Sequence, residues 1–161
     1  MNPLTDLWDV FLLFMIPGGG GIPAGAIVAH NRGIDWLTMS ALYLISDIVL
    51  ACLFEPILKF LIRLSRRDER LARVRMVLKQ TMQMILAPYG VKPHPFILVT
   101  IAFGLDPMSG RTMAYVAGHG FLSGWAIAIT GDMFFFSLIA VSTLILNSIL
   151  GNGTWAALIV M

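Results

Sequence analysis

The chain has 161 residues, 58% of them hydrophobic and 12% charged, with a net charge of +2. Soluble domains carry about 25% charged residues, so this composition excludes an ordinary soluble domain and points to a small integral membrane protein. A single cysteine, Cys52, excludes an internal disulfide, and its apolar surroundings make it a small membrane hydrophobe.

The N-terminal residues carry Asp6 and Asp9 and no basic cluster, which does not fit a cleaved signal peptide. Leu7 to Ile16 is apolar but only ten residues long, and Pro17 with the run Gly18, Gly19, Gly20 and Gly21 stops it. A second short arm, containing Pro23 and Gly25, ends at Gly33. Ten residues are too few to cross a bilayer as a helix, so residues 7–33 are expected to form a re-entrant hairpin. Its tip is assigned to Pro17, Gly18–Gly21, Pro23 and Gly25, because Gly and Pro supply the dihedral angles of a tight reversal. The glycine run lacks the Lys-Ser/Thr of a phosphate loop. Arg32, between Asn31 and Asp35, reads as a residue at the membrane surface. Trp36 to Ile62 follows, 27 residues long and apolar, a transmembrane helix.

Eight of the eleven Lys/Arg residues then fall between Lys59 and Lys79. The positive-inside rule makes this connector, residues 63–94, cytoplasmic. Basic residues recur every three or four positions from Ser65 to Gln83, an amphipathic helix pattern. No aromatic residues are interleaved, so nucleic acid is not the expected partner; Arg63, Arg66, Arg67, Arg70 and Arg73 are expected to contact anionic lipid headgroups of the bilayer. A proline-rich break, Ala87 to Pro95, precedes a second unit at residues 95–150. There a short apolar stretch, Phe96 to Leu105, is stopped by Asp106-Pro107 and followed by an arm ending at Gly118. It is expected to form a second re-entrant hairpin over residues 96–118 with Pro107 and Gly110 at its tip, followed by a transmembrane helix at 121–150 and a C-terminal tail at 151–161.

The first unit, residues 1–62, and the second share a register: a shift of 85 residues lays Gly110 on Gly25, Gly118 on Gly33 and Asp132 on Asp47. With the connector cytoplasmic, the two units take opposite orientations if the second hairpin enters and leaves from that side; if residues 80–105 span the membrane, they do not. The fold class expected is therefore an all-α integral membrane protein, an inverted repeat of two units, each a re-entrant broken hairpin plus a long transmembrane helix. Secondary transporters of that architecture place their site near the bilayer midplane.

Asp47 and Asp132 are the candidate site. A carboxylate in a lipid-spanning segment costs about 3 kcal/mol or more. Two that face each other in low dielectric cannot both keep their charge, which suits binding of a proton or cation. Arg111 at membrane depth needs Asp47, Asp132 or an anionic substrate as partner, unless it snorkels to the interface. His119, between Gly118 and Gly120, is a further candidate for substrate or proton binding, although a lone histidine is more often structural. His30, His94 and His119 have no metal-ligand spacing, and no cofactor is expected. With no Ser/His/Asp order, HExxH or GxSxG, the chain does not read as an enzyme.

Pro23-Ala-Gly25, Gly33 and Ser46-Asp47, with Gly110-Arg111-Thr112, Ala117-Gly118, Phe121 and Gly131, resemble the DedA (VTT-domain) superfamily of membrane proteins. The short length is similar to that of the small multidrug export proteins. The resemblance covers residues 10–140 and implies facing re-entrant hairpins and proton-motive-force-linked transport, in some members of a lipid-linked phosphate, with Asp47 and Arg111 at matching positions. The acidic residues that the family places around its first hairpin are missing here, so either Asp132 substitutes for them or proton coupling is absent. The function expected is a small inner-membrane, multi-pass, homodimeric transporter of a small or lipid-linked anionic substrate by alternating access. The alternatives are a passive lipid flippase or scramblase, and a non-catalytic subunit or assembly factor of a larger membrane complex.

Overall fold

The computed structural model describes residues 3–16, 21–64, 69–90, 94–104 and 107–160. Within them the chain is all-helical: α1 (Pro3–Phe14), α2 (Gly21–Asn31), α3 (Trp36–Leu64), α4 (Glu69–Leu86), a short 3-10 helix (Ala87–Tyr89), α5 (Pro95–Ala102), α6 (Pro107–Val116), α7 (Phe121–Leu150) and α8 (Gly153–Val160).

Local chemistry sets the helix ends. Asp35 caps α3: its Oδ2 accepts from the Thr38 N–H at 2.9 Å and its Oδ1 from the Thr38 hydroxyl at 2.7 Å. The two Thr38 bonds hold the Asp35 carboxyl below its ordinary value. His94 caps α5 through Nδ1, with Pro95 in the first turn. Asn152 caps α8 by accepting from the Thr154 N–H at 3.0 Å. α2 and α6 end in the same way. Gly33, at φ 71°, donates to the His30 carbonyl while Ile34 donates to Ala29; Gly118, at φ 90°, donates to Tyr115 while His119 donates to Ala114. Both are Schellman motifs, whose left-handed residue glycine adopts without a Cβ penalty. The two motifs, and the first residues of α3 and α7, stand 85 residues apart.

Trp36–Ile57 of α3 and all of α7 are long and apolar enough to cross a membrane. At about 1.5 Å per residue, 22 and 30 residues give about 33 and 45 Å, against a hydrocarbon core of about 30 Å. Large apolar side chains stand exposed along both, including Leu37, Ile45, Leu53, Leu122, Leu138 and Ile149. A contiguous exposed apolar surface marks contact with a membrane or partner. Serine and threonine hydroxyls on α7 are satisfied by carbonyls one turn back: Ser137 donates to Met133 and Thr143 to Ile139. Pro56 sits inside α3. By contrast, α1, α2, α5 and α6 have 12, 11, 8 and 10 residues, about 12–18 Å of helix, too short to span.

The chain forms two compact units, and they do not follow the division into residues 1–62 and 95–150. Unit 1 comprises Met1–Ile48 and Asp132–Met161; unit 2 comprises Val49–Gly131, so the boundaries cut both long helices. The reason is packing. A short-helix pair buries its apolar face against whichever segments of the long helices lie beside it, and in each unit those come from both α3 and α7.

In unit 1 the core is Val10, Phe14, Ile22, Ala26, Ala29, Met39, Tyr43, Phe136 and Ala140. Tyr43 stacks on Phe136 at 4.2 Å between ring centroids, and Phe14 meets both edge-on at 5.2 and 5.6 Å. Trp36 also stacks on Phe136. Outside this core, Arg32, in the turn after α2, ties down α1 through Asp6 at 3.2 Å and Asp9 at 2.9 Å. The segment read as a tail carries α8, which packs Ala156 and Ala157 against Ile27 of α2. Gly153 makes room for that contact, since a Cβ there would lie 2.7 Å from Ile27.

In unit 2, α5 and α6 pack through Leu98, Ala102, Met113 and Ala114, with Leu86 of α4 and Ile127 of α7. A smaller cluster joins Ala51 of α3 to Trp125 and Ala128 of α7. Gly131 allows the closest approach: a Cβ there would meet Ala102 at 2.7 Å.

Among the expected hairpin tips, Pro17, Gly18, Gly19 and Gly20 lie outside the described residues. Gly21 opens α2, while Pro23 and Gly25 stand inside α2 and Gly110 inside α6, so these three are not at a reversal. Gly25 and Gly110 serve packing. A Cβ at Gly25 would fall 2.4 Å from the Phe14 ring, and one at Gly110 3.3 Å from Ala128. Pro107 is the first residue of α6, where its missing N–H costs nothing.

Candidate functional site

Among the described residues, each unit buries a cluster of polar side chains. In unit 1 it consists of Tyr43 and Asp47 from α3 and Asp132 from α7. Both aspartates are 2% exposed and Tyr43 is 6% exposed. Tyr43 and Asp47 are four residues apart, so they share one helix face. The Tyr43 hydroxyl donates to Asp132 Oδ2 at 2.6 Å. The Asp47 and Asp132 carboxyl groups are in hydrogen-bond contact with each other. Asp47 Oδ2 is buried with no hydrogen-bond partner. Ser46, fully buried beside Asp47, turns its hydroxyl back to the Tyr43 carbonyl at 2.7 Å and joins neither carboxylate.

In unit 2 the buried polar groups are Glu55 of α3, Arg111 of α6 and Trp125 of α7. Arg111 grips Glu55 with two bonds, Nε to Oε2 and Nη2 to Oε1, both at 3.2 Å. This fork geometry is the strongest arrangement of an arginine on a carboxylate. The Trp125 indole N–H donates to Glu55 Oε2 at 2.9 Å, and exposed Lys59, one turn on, approaches Oε1 at 3.5 Å. The guanidinium lies over the Tyr115 and Trp125 rings at 5.8 and 6.0 Å. Arg111 Nη1 is buried and has no partner. It lies over Gly124, where a Cβ would stand 2.9 Å away.

The sequence-level expectation that Arg111 neutralises Asp47 or Asp132 is corrected here: its partner is Glu55, and the aspartates partner each other. Nor does Arg111 snorkel, being 3% exposed. His119 is half-buried in the turn after α6, where its backbone N–H closes the Schellman motif; it belongs to neither cluster. Arg63 and Arg73 are exposed, as a headgroup contact requires, while Arg66 and Arg67 lie outside the described residues, as does the side chain of Arg70.

Sequence reasoning missed Tyr43 and Glu55. The signals were there: Tyr43 precedes Asp47 by four residues, and Glu55 is an acid inside a run otherwise apolar up to Lys59. Among the described residues, no three His, Cys, Asp or Glu side chains gather as a metal site. Two carboxyl groups in contact can hold a proton between them, and a buried guanidinium with a spare N–H can take an anionic oxygen. No family model, curated protein or solved structure matches this chain.

Proposed function

We propose that this protein is a small multi-pass transporter of the inner membrane. A proton is carried by Asp47 and Asp132, and an anionic substrate, small or lipid-linked, is recognised at Arg111. The observation that carries this reading is the contact between the two aspartates. Neighbouring carboxylates with no proton would repel strongly at low dielectric, so the pair holds one proton and can release it to whichever aqueous side reaches it. Intramembrane acids so arranged mark proton relays. The spare Nη1 of Arg111 supports the anion half of the reading: Glu55 neutralises the guanidinium but leaves one donor for a phosphate or carboxylate oxygen.

The 85-residue recurrence of the Schellman glycines, helix starts and aspartates supports an inverted repeat with re-entrant short-helix pairs, working by alternating access as a homodimer. So does the antiparallel pairing of α3 with α7 within each unit, Trp36 and Tyr43 against Phe136 and Asp132 in one, Glu55 and Lys59 against Trp125 and Phe121 in the other. The DedA resemblance points the same way.

The test is uptake into proteoliposomes under an imposed proton gradient, scored by collapse of the gradient on adding candidate organic phosphates and carboxylates. Asp47→Asn and Asp132→Asn should each abolish substrate-driven proton movement. Full flux in both variants would sink the proposal. Equal flux with and without a gradient would point instead to passive lipid scrambling.

A further inference from the structure

The groups of the unit 1 cluster are not equivalent. Tyr43 donates to Asp132 at 2.6 Å, within the range of about 2.5–2.7 Å for an O–H bonded to a negative oxygen. Such a bond stabilises the ionised carboxylate. The ring that delivers it is clamped, stacked on Phe136 and met edge-on by Phe14. Asp47 has no donor of this kind. Its contact is with Asp132, and its Oδ2 is buried with no donor to it. A hydrogen bond between two carboxyl groups needs one proton. Asp132 already accepts from Tyr43, so the proton that joins the pair sits on Asp47.

We propose that Tyr43 is a positioning residue that makes the pair asymmetric, with Asp132 a fixed anion and Asp47 the group that takes up and gives off the proton. The inference rests on the proton-carrying reading above and goes beyond it by assigning the carrier. When Asp47 releases its proton to water, both carboxylates are anionic and Tyr43 keeps its own proton on Asp132. The other charged or titratable groups of unit 1 are committed elsewhere. Asp6 and Asp9 of α1 pair with Arg32 in the turn after α2, Asp35 caps α3, and His30 is exposed at the end of α2.

The test is infrared spectroscopy of the full chain in lipid bilayers, reading the carbonyl stretch of a protonated carboxyl group at neutral pH, where exposed carboxylates are ionised. Asn and Phe keep the size of the residues they replace, so the packing is retained. The wild type should show one protonated band. Asp47→Asn should lose it and Asp132→Asn should keep it at a shifted frequency. Tyr43→Phe with Asp47→Asn should regain a band, because Asp132 has then lost the donor that keeps it ionised. A band that survives Asp47→Asn and disappears in Asp132→Asn would reverse the assignment yet leave the proton reading standing. A double variant spectrally identical to Asp47→Asn would remove Tyr43 from the mechanism. The absence of any protonated band in the wild type would overturn the proton reading itself.

Discussion

Unit 1 and unit 2 solve one packing problem with opposite chemistry. Under the 85-residue shift, Arg111 of unit 2 corresponds to Ala26 of unit 1, Glu55 to Ala140, and Gly124 to Met39. Where unit 2 buries an ion pair over a glycine, unit 1 buries two alanines and fills the space with methionine, all three in its apolar core. The exchange runs the other way at Tyr43, whose counterpart is Ala128. Positions 85 residues apart thus carry opposite polarity, with volume and charge complemented locally in each unit. One unit holds a charge-balanced pair with a spare N–H; the other buries two carboxyl groups, one of which accepts from Tyr43.

The sharpest way to break this comparison is to leave Arg111 without its counter-ion. Glu55→Ala strands a buried guanidinium and should destabilise the protein by about 3–5 kcal/mol, measured as unfolding in mixed detergent micelles. Rewriting unit 2 in the residues of unit 1, Arg111→Ala with Glu55→Ala and Gly124→Met, should recover most of that loss, since apolar groups of matched volume replace a buried pair at little cost. It should also lose anion recognition. A triple variant no more stable than Glu55→Ala would show that the two units are not interchangeable at these positions.

The glycines offer a smaller contrast. Gly25 and Gly110 are counterparts, but a Cβ at Gly25 would penetrate the Phe14 ring at 2.4 Å while one at Gly110 would meet the Ala128 methyl at 3.3 Å. Gly25→Ala should cost about 1–3 kcal/mol through displacement of Phe14, and Gly110→Ala clearly less, by the same unfolding measurement. Equal losses would show that Phe14 has room to move aside.

These contrasts also explain what was legible in the sequence. The long helices were, because 22 or more apolar residues admit few other structures. Asp47 and Asp132 were, because a carboxylate in such a run is anomalous. Tyr43 was hidden by its own apolar ring, which reads as packing, and only the fold shows its hydroxyl reaching Asp132. Glu55 was hidden by its place near the end of the span, one turn before Lys59, where an acid passes for interfacial. The partner of Arg111 depended on which helix segments meet, and that is tertiary information. Helix α8 escaped because an eight-residue helix opening on Gly153 and Thr154 carries no periodicity long enough to read.

The smallest expected effect lies at the starts of the two long helices. Asp35, capping α3, corresponds to Gly120 ahead of α7, which has no side chain to offer the first turn. Because the two Thr38 bonds depress the Asp35 carboxyl, its contribution is present above the ordinary value of 3.8 and is lost as pH falls through the lower folded value. Acidification should therefore loosen the start of α3 and leave the start of α7 unchanged, seen as faster hydrogen exchange, after correction for intrinsic rates, at the Thr38 amide but not at its counterpart Ser123. Asp35→Asn keeps an acceptor without a titratable group and should remove the pH dependence; Asp35→Gly should make the start of α3 behave like that of α7 at every pH. If both helix starts loosen together in acid, the response belongs to the whole fold, and the cap is not the cause.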